Sequence, residues 1–366
     1  MIKNLMTKVQ KSLQTMLGDQ HLSGNAFRRL NVLGAMVSGI LLQGSSRLSD
    51  IGRANPEHKQ QASKEKQYKR WLLSEHTSYQ IHYLPYIAAL LENLSSQGEL
   101  VFSIDGSTAG QGCMVLMISV IYQKRAIPVI WTVIKAKKGH LPEATHQELL
   151  ARLAQIVPVD GCITIVGDGE YDGCLWQTDI LSYGWSYVLR TGSAKLIGEE
   201  NGEMLPLGRL APAVGNTTFM LYDMCFTQQQ YGLVNVLVWH ETKYKEAIYL
   251  LSNLDFPPLI QRLYKKRFYI ETFFSDQKSR GFHIQRSKLA VPERLAKLLI
   301  ATCLAYIFCI LAGVMCFQSH FYPLVHRKDR CDLSLFSLGK RFIELMVDLR
   351  QWRIFVINLS LSLPNL

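Results

Sequence analysis

Residues 298 to 317 read LLIATCLAYIFCILAGVMCF, twenty positions without a charge, and such a run leaves a chain few choices. As a helix it is long enough to cross the hydrocarbon of a bilayer. The alternative is a helix covered on all sides by a large protein core. The run is the only one of its kind in the sequence, and it follows a basic segment through a short linker containing Pro292. A buried core helix, with no membrane, is therefore the expectation. A chain of 366 residues has the volume for such a core and for two or three structural units. The N-terminal MIKNLMTKVQKSLQ is amphipathic and polar-rich, unlike the continuous apolar stretch of a secretory signal. The eight cysteines form no CxxC pair and have no histidine at zinc-ligand spacing. Most lie in apolar runs, as the reduced, buried thiols of a cytoplasmic protein do.

Forty Lys and Arg oppose twenty-nine Asp and Glu, a formal charge of +11 with an isoelectric point near 9.2. That balance favours a polyanionic partner, nucleic acid first, although ribosomal and membrane-surface proteins share it. Much of the excess precedes residue 75, at Lys3, Lys8, Lys11, Arg28, Arg29 and KEKQYKR (64–70), and more lies in HRKDR (326–330).

Along the chain, residues 1–80 have apolar positions at helical spacing among basic residues, which suits a helical DNA-binding module of helix-turn-helix character. From 95 the texture becomes β-rich. ELVFSIDGST, CMVLMISVIY and AIPVIWTVIK read as a three-strand meander, followed by a helix, the strand CITIVGDG, a helix and the strand WSYVLRTG. This is the order of an α/β fold with a ribonuclease-H-like core. Its first part covers 95–193, a β-rich insertion 194–252 and its second part 253–320, and a C-terminal helical tail runs from 321 to 366.

Asp105 closes the first strand and Asp168 the fourth. In a ribonuclease-H-like sheet these strands are neighbours, and two carboxylates held so close repel unless a cation lies between them. Oxygen ligands suit magnesium. A third carboxylate comes from YKKRFYIETFFSDQKSRGF (264–282). Read as one helix at about 100° per residue, it gathers Tyr264, Arg267, Glu271 and Lys278 within roughly 60°. A plain surface ion pair of Arg267 with Glu271 at i,i+4 competes with this reading. Glu170 and Asp172 are alternative carboxylates near Asp168, and Asp276 reads as a solvated charge.

These residues bring a resemblance into view. The chain resembles the DDE-class transposases of bacterial insertion sequences, in the cut-and-paste branch marked by the YREK signature, Tyr-x2-Arg-x3-Glu-x6-Lys. The match is complete at Tyr264, Arg267, Glu271 and Lys278, with IDGST (104–108) and VGDGEYDG (166–173) around the aspartates. It covers roughly residues 95 to 315. The resemblance implies catalytic and metal-ligating roles for Asp105, Asp168 and Glu271, with two Mg2+ ions, or Mn2+ as substitute, roughly 3.5 to 4 Å apart. It implies double-stranded DNA as partner, both transposon ends and target, with binding at terminal inverted repeats, cleavage through a hairpin, and strand transfer. A homodimer in the synaptic complex and a cytoplasmic, nucleoid-associated protein are further implications. Tyr264, Arg267 and Lys278 would contact phosphates, and Trp239 would stack a flipped base. Trp131 and Trp176 read as core, and Lys135, Lys137, Lys138 and His140 as a backbone-tracking loop. The alternatives are a nuclease that cuts without joining and a catalytically inactive DNA-binding protein.

Overall fold

The computed structural model describes residues 2–17, 24–136, 141–210, 216–242, 245–327, 330 and 332–349. The end of the expected C-terminal tail, from residue 350, lies outside the described residues, as do Lys137, Lys138 and His140.

The chain opens with α1 (Ile2–Met16), α2 (Gly24–Gln43), α3 (Leu48–Ala54), α4 (Gln61–Leu73), α5 (Tyr79–His82) and α6 (Leu84–Ser95). Apolar residues one turn apart, such as Leu5, Val9 and Leu13 on α1, bury one face. Strands β1 (Leu100–Ala109), β2 (Cys113–Tyr122) and β3 (Arg125–Lys135) then form the expected antiparallel meander. Gly110 and Gly112, both at positive φ, carry its first turn. After α7 (Glu143–Ala154), β4 (Ile163–Gly167), α8 (Cys174–Ser182) and β5 (Ser186–Thr191), β4 lies parallel between β1 and β5. The order β3-β2-β1-β4-β5 is that of a ribonuclease-H-like sheet.

The next segment extends that same sheet. It comprises β6 (Leu196–Gly198), β7 (Leu205–Pro206), α9 (Leu207–Leu210), β8 (Thr217–Phe226), β9 (Tyr231–His240) and β10 (Ile248–Ser252). β10 pairs antiparallel with β5, and β9, β8, β6 and β7 continue outward to a ten-stranded sheet among the described residues.

Strand alternation sends the two faces into different cores. Leu100, Phe102 and Ile104 of β1 join a large cluster shared with the N-terminal helices, while Val101, Val166, Val188, Leu237 and Leu250 face a smaller one. α10 (Pro257–Lys266) covers the smaller cluster with Ile260, Leu263 and Tyr264, whereas α11 (Tyr269–Gln277) buries Ile270, Phe273 and Phe274 in the large one. The helix expected through Tyr264 and Lys278 is thus interrupted at Arg267–Phe268, where the chain passes from one face of the sheet to the other.

Past a 3-10 turn at Ile284–Ser287 comes α12 (Pro292–Phe317), then α13 (Tyr322–Val325) and α14 (Leu335–Leu349). The most apolar window of α12 is 94% buried inside the fold, packed by α14, α2 and β3. The uncharged run is therefore enclosed by protein up to its last turn, where Phe317 is exposed.

Candidate active site

Registry between two parallel strands builds the site. Ser103 pairs with Val166, so two residues further along Asp105 comes beside Asp168, on the sheet face of Val101 and Val166. Asp168 follows directly on β4, as expected. Asp105 lies within β1 and not at its end, because pairing with β2 continues through Asp105↔Met117 to Ala109. The Gly106 N–H donates to Asp105 Oδ1 at 2.7 Å. Burial pushes the Asp105 carboxyl up to about 7; Asp168 and, more weakly, Glu271 push the same way, and Arg267 and the Gly106 N–H oppose them.

The turn after Asp168 is tightly determined. Asp168 Oδ1 accepts from the Glu170 N–H at 3.0 Å, and the Tyr171 N–H donates to the Asp168 carbonyl at 3.1 Å. Glu170 Oε1 accepts from the Leu141 N–H at 2.9 Å. Asp172 accepts from Thr191 Oγ1 at 2.7 Å and Lys195 Nζ at 3.1 Å. The two alternative carboxylates are thus occupied in holding the turn. Tyr171 folds back over Gly167, where a Cβ would meet the tyrosine Cβ at 3.0 Å. Its hydroxyl is buried without a hydrogen-bond partner among the described residues, next to Gly106. Burial and then the charge of Asp105 hold its pKa well above the usual range. Sequence reasoning passed over Tyr171; the short spacing from Asp168 in GDGEYDG was the available signal.

Arg267 enters from the crossing between α10 and α11. Its guanidinium, 6% exposed, lies 3.8 Å from Asp105 Oδ2 and donates to Glu271 Oε1 at 2.6 Å. The pair at i,i+4 is therefore no ordinary surface contact: the arginine is buried and shared between two carboxylates. Glu271, by contrast, is 52% exposed. Tyr264 sits beneath, fully buried in the smaller cluster, its ring centroid 5.9 Å from the Arg267 guanidinium. Burial raises its pKa against the opposing charges of Arg267 and Arg190. Lys278, at the C-cap of α11, donates to Ser107 Oγ at 2.6 Å and reaches Thr108 Oγ1 at 3.5 Å. The hydroxyls of IDGST thereby gain a function that sequence reading had not assigned.

Three expectations do not match the structure, the first being that Tyr264 contacts a phosphate, since the side chain is fully buried. Trp239 is 2% exposed; it packs in the smaller cluster under α10, its Nε1 donates to Glu241 Oε1 at 3.0 Å, and Lys265 Nζ lies 5.0 Å over its ring. That packing leaves no open face for a base. Asp276 is 4% exposed and accepts from Arg125 at 3.1 Å, so it is a buried ion-pair member and not a solvated charge. Burial, against Arg125, raises its carboxyl to about 6. Trp131 and Trp176 are core, as read.

The donor chemistry of Asp105, Asp168 and Glu271, hard oxygens all, fits a divalent cation. Burial first, and then the charge of Asp168, raises the Asp105 carboxyl, a penalty on the ionised form that a bound cation would relieve. In this structure Arg267 supplies positive charge at that point, and among the described residues no three acidic, histidine or cysteine side chains are gathered into a ready-made metal cluster.

Neighbouring-strand aspartates with a helix-borne glutamate, on a ribonuclease-H-like sheet, define the class of DDE catalytic cores. Residues 93–308 match the family model described as the transposase DDE domain, and the chain belongs to that family. A solved structure that is similar is the cryo-EM structure of a piggyBac transposase synaptic complex with hairpin DNA, at 12% identity and a TM-score of 0.46, covering 100% of this chain and 83% of the other. No curated protein matches the sequence.

Proposed function

We propose that this chain cuts and joins DNA as a transposase at a site formed by Asp105, Asp168 and Glu271. The observation that carries the reading is the buried Arg267 held between Asp105 and Glu271, just past the last paired residues of β1 and β4. A guanidinium is placed there between carboxylates that otherwise repel one another. When DNA arrives, its phosphate competes for that guanidinium by a bidentate fork, and Glu271 is released toward the aspartates. Two Mg2+ ions, or Mn2+ in their place, would activate the attacking water and stabilise the leaving 3′ oxygen.

The protein's own groups do the rest. Lys278 presents a point charge from its seat on Ser107 and Thr108. Tyr264, too deeply buried to touch DNA as it stands, acts as the floor that orients Arg267. The spacing of Tyr264, Arg267, Glu271 and Lys278 supports the YREK branch of insertion-sequence enzymes, and with it binding at terminal inverted repeats, a hairpin route and a homodimeric synaptic complex.

The test is cleavage of a duplex carrying the element's inverted repeats, with and without Mg2+, for the wild type and Glu271→Ala. Expected are Mg2+-dependent products ending in 3′-OH, lost in the variant while DNA binding persists. Equal cleavage by both proteins would remove Glu271 from the site. Binding without cleavage by either would favour an inactive end-binding protein.

A further inference from the structure

Between the end of α11 and the start of α12 the chain forms a strap, residues 278–291, that ties the candidate active site to the N-terminal helices. On one side the Ser46 N–H donates to the Phe282 carbonyl at 2.7 Å, and Ser46 Oγ to the His283 carbonyl at 3.2 Å. On the other the Gln111 N–H donates to the Leu289 carbonyl at 2.7 Å, and Lys135 Nζ to the Ala290 carbonyl at 3.0 Å. His283 and Lys288 adopt left-handed backbone conformations, at φ 51° and 55°, that non-glycine residues enter only at a cost. The strap is thus held in one shape from both sides. Of its own cations, Arg280, Arg286 and Lys288 are exposed and Lys278 is half-buried.

Where the strap meets the helical module there is a cleft of about 300 Å³. Arg47 reaches it from the residue before α3, Lys69 from α4 and Arg294 from the first turn of α12, with Ser49 and Ser287 as hydroxyls and Glu65 as the acid in its wall. Arg47, Lys69 and Arg294 are exposed, and none of the three has an ion-pair partner among the described residues. Three cations from three separate segments converge here with one carboxylate against them. The strap's other flank borders a second cleft of about 580 Å³, lined by Thr108, Lys135 and Gln285. Thr108 is also in reach of Lys278, at 3.5 Å. A line of positive groups and hydroxyls therefore leads from Lys278, past Thr108 and over the strap, to the cleft of Arg47, Lys69 and Arg294.

We propose that this line is a phosphate track: the duplex that enters the carboxylate site continues across the strap, and the cleft grips its backbone. This rests on the DNA reading above and adds the path of the bound duplex. Backbone grip of this kind is independent of base sequence. The partner is the same duplex that is cut, because both clefts border the strap that begins at Lys278, and the second shares Thr108 with Lys278.

The experiment measures equilibrium binding of a fluorescent duplex against salt for four proteins: wild type, the triple variant Arg47→Gln, Lys69→Gln, Arg294→Gln, the single variant Glu65→Gln, and Lys124→Gln. Lys124 is an exposed control in the β2–β3 turn, at the end of the meander opposite the strap's contacts with Gln111 and Lys135 and outside both clefts. The triple variant is expected to lose about 2.7 from the slope of log affinity against log salt, at about 0.9 for each phosphate contact. Glu65→Gln is expected to bind more tightly, and the control to match wild type. All the positions changed are exposed or half-buried, and the two cleft variants shift affinity in opposite directions, which a folding defect cannot mimic. Trimming the duplex to leave only the part in the carboxylate site is expected to abolish the difference between triple variant and wild type. A triple variant with wild-type slope, or a difference that survives trimming, overturns the track and leaves the proposed activity standing. A wild type that binds no duplex overturns both.

Discussion

At Asp105 the protonation of one side chain is tied to the stability of the fold. Its folded-state carboxyl titrates at about 7 against an ordinary 3.8, because burial, and Asp168 beside it, penalise the charge. Between those values the folded state binds a proton that the unfolded chain does not. The contribution to stability is therefore fully present below about pH 4 and is lost as pH rises through 7. Asp105→Asn removes the titrating group and leaves a side chain of the same shape. In the absence of divalent metal, Asn is expected to be the more stable form above pH 7, by on the order of 2 kcal/mol. The advantage should fade toward pH 4. Urea unfolding of the two metal-free proteins across that range checks it, and parallel curves would mean that Asp105 carries no such penalty. The pair to which Asp105 belongs was legible in the sequence, since two apolar strand runs each ending near an aspartate follow from alternation and fold order. The loss of solvent at Asp276 was not: its partner Arg125 is 151 residues away, and no local pattern records a contact of that range.

Among the elements, the passage from α10 to α11 shows where periodicity stops being informative. A 3.6-residue repeat reports that apolar residues share a side, and it cannot report that Tyr264 and Ile270 are buried on opposite faces of a sheet. Trp239 was misplaced for the same reason, because alternation along β9 does not tell which face α10 will cover. The contact between α12 and α14 is a second element-level fact with a measurable consequence. A Cβ at Gly339 would run into the Cys309 carbonyl and the Gly313 nitrogen, so the two backbones touch only because both positions are glycine. Gly339→Ala is expected to destabilise the protein by about 1–3 kcal/mol through overpacking. Gly24→Ala, at a helix start with open space around it, is expected to leave the melting temperature unchanged. Calorimetry of both variants decides the matter; equal melting temperatures would show that α14 can move off α12 without penalty.

Over the whole molecule, the larger of the two cores joins parts that the sequence suggested as separate units. The large cluster runs from Leu5 on α1 through the sheet to Met346 on α14, with α12 passing through it. The uncharged run at 298–317 was legible as something that must be covered, but not what would cover it, because α2 and β3 come from distant parts of the chain and α14 folds back on α12 from beyond the turn that follows it. A helix enclosed by elements from both ends of the chain cannot be exposed without separating them. Cys303, Cys309 and Cys316 on α12 are wholly buried, whereas Cys162 is exposed. With a thiol reagent in excess, Cys162 is expected to react at once. The three α12 thiols should react only at the rate at which far-UV circular dichroism reports global unfolding, since opening their surroundings requires both the N-terminal helices and α14 to leave. Mass spectrometry of the modified peptides over a urea series provides the comparison. Labelling of α12 while the sheet remains folded would show that the helical layers detach as a unit, and that the larger core is two cooperative bodies in contact.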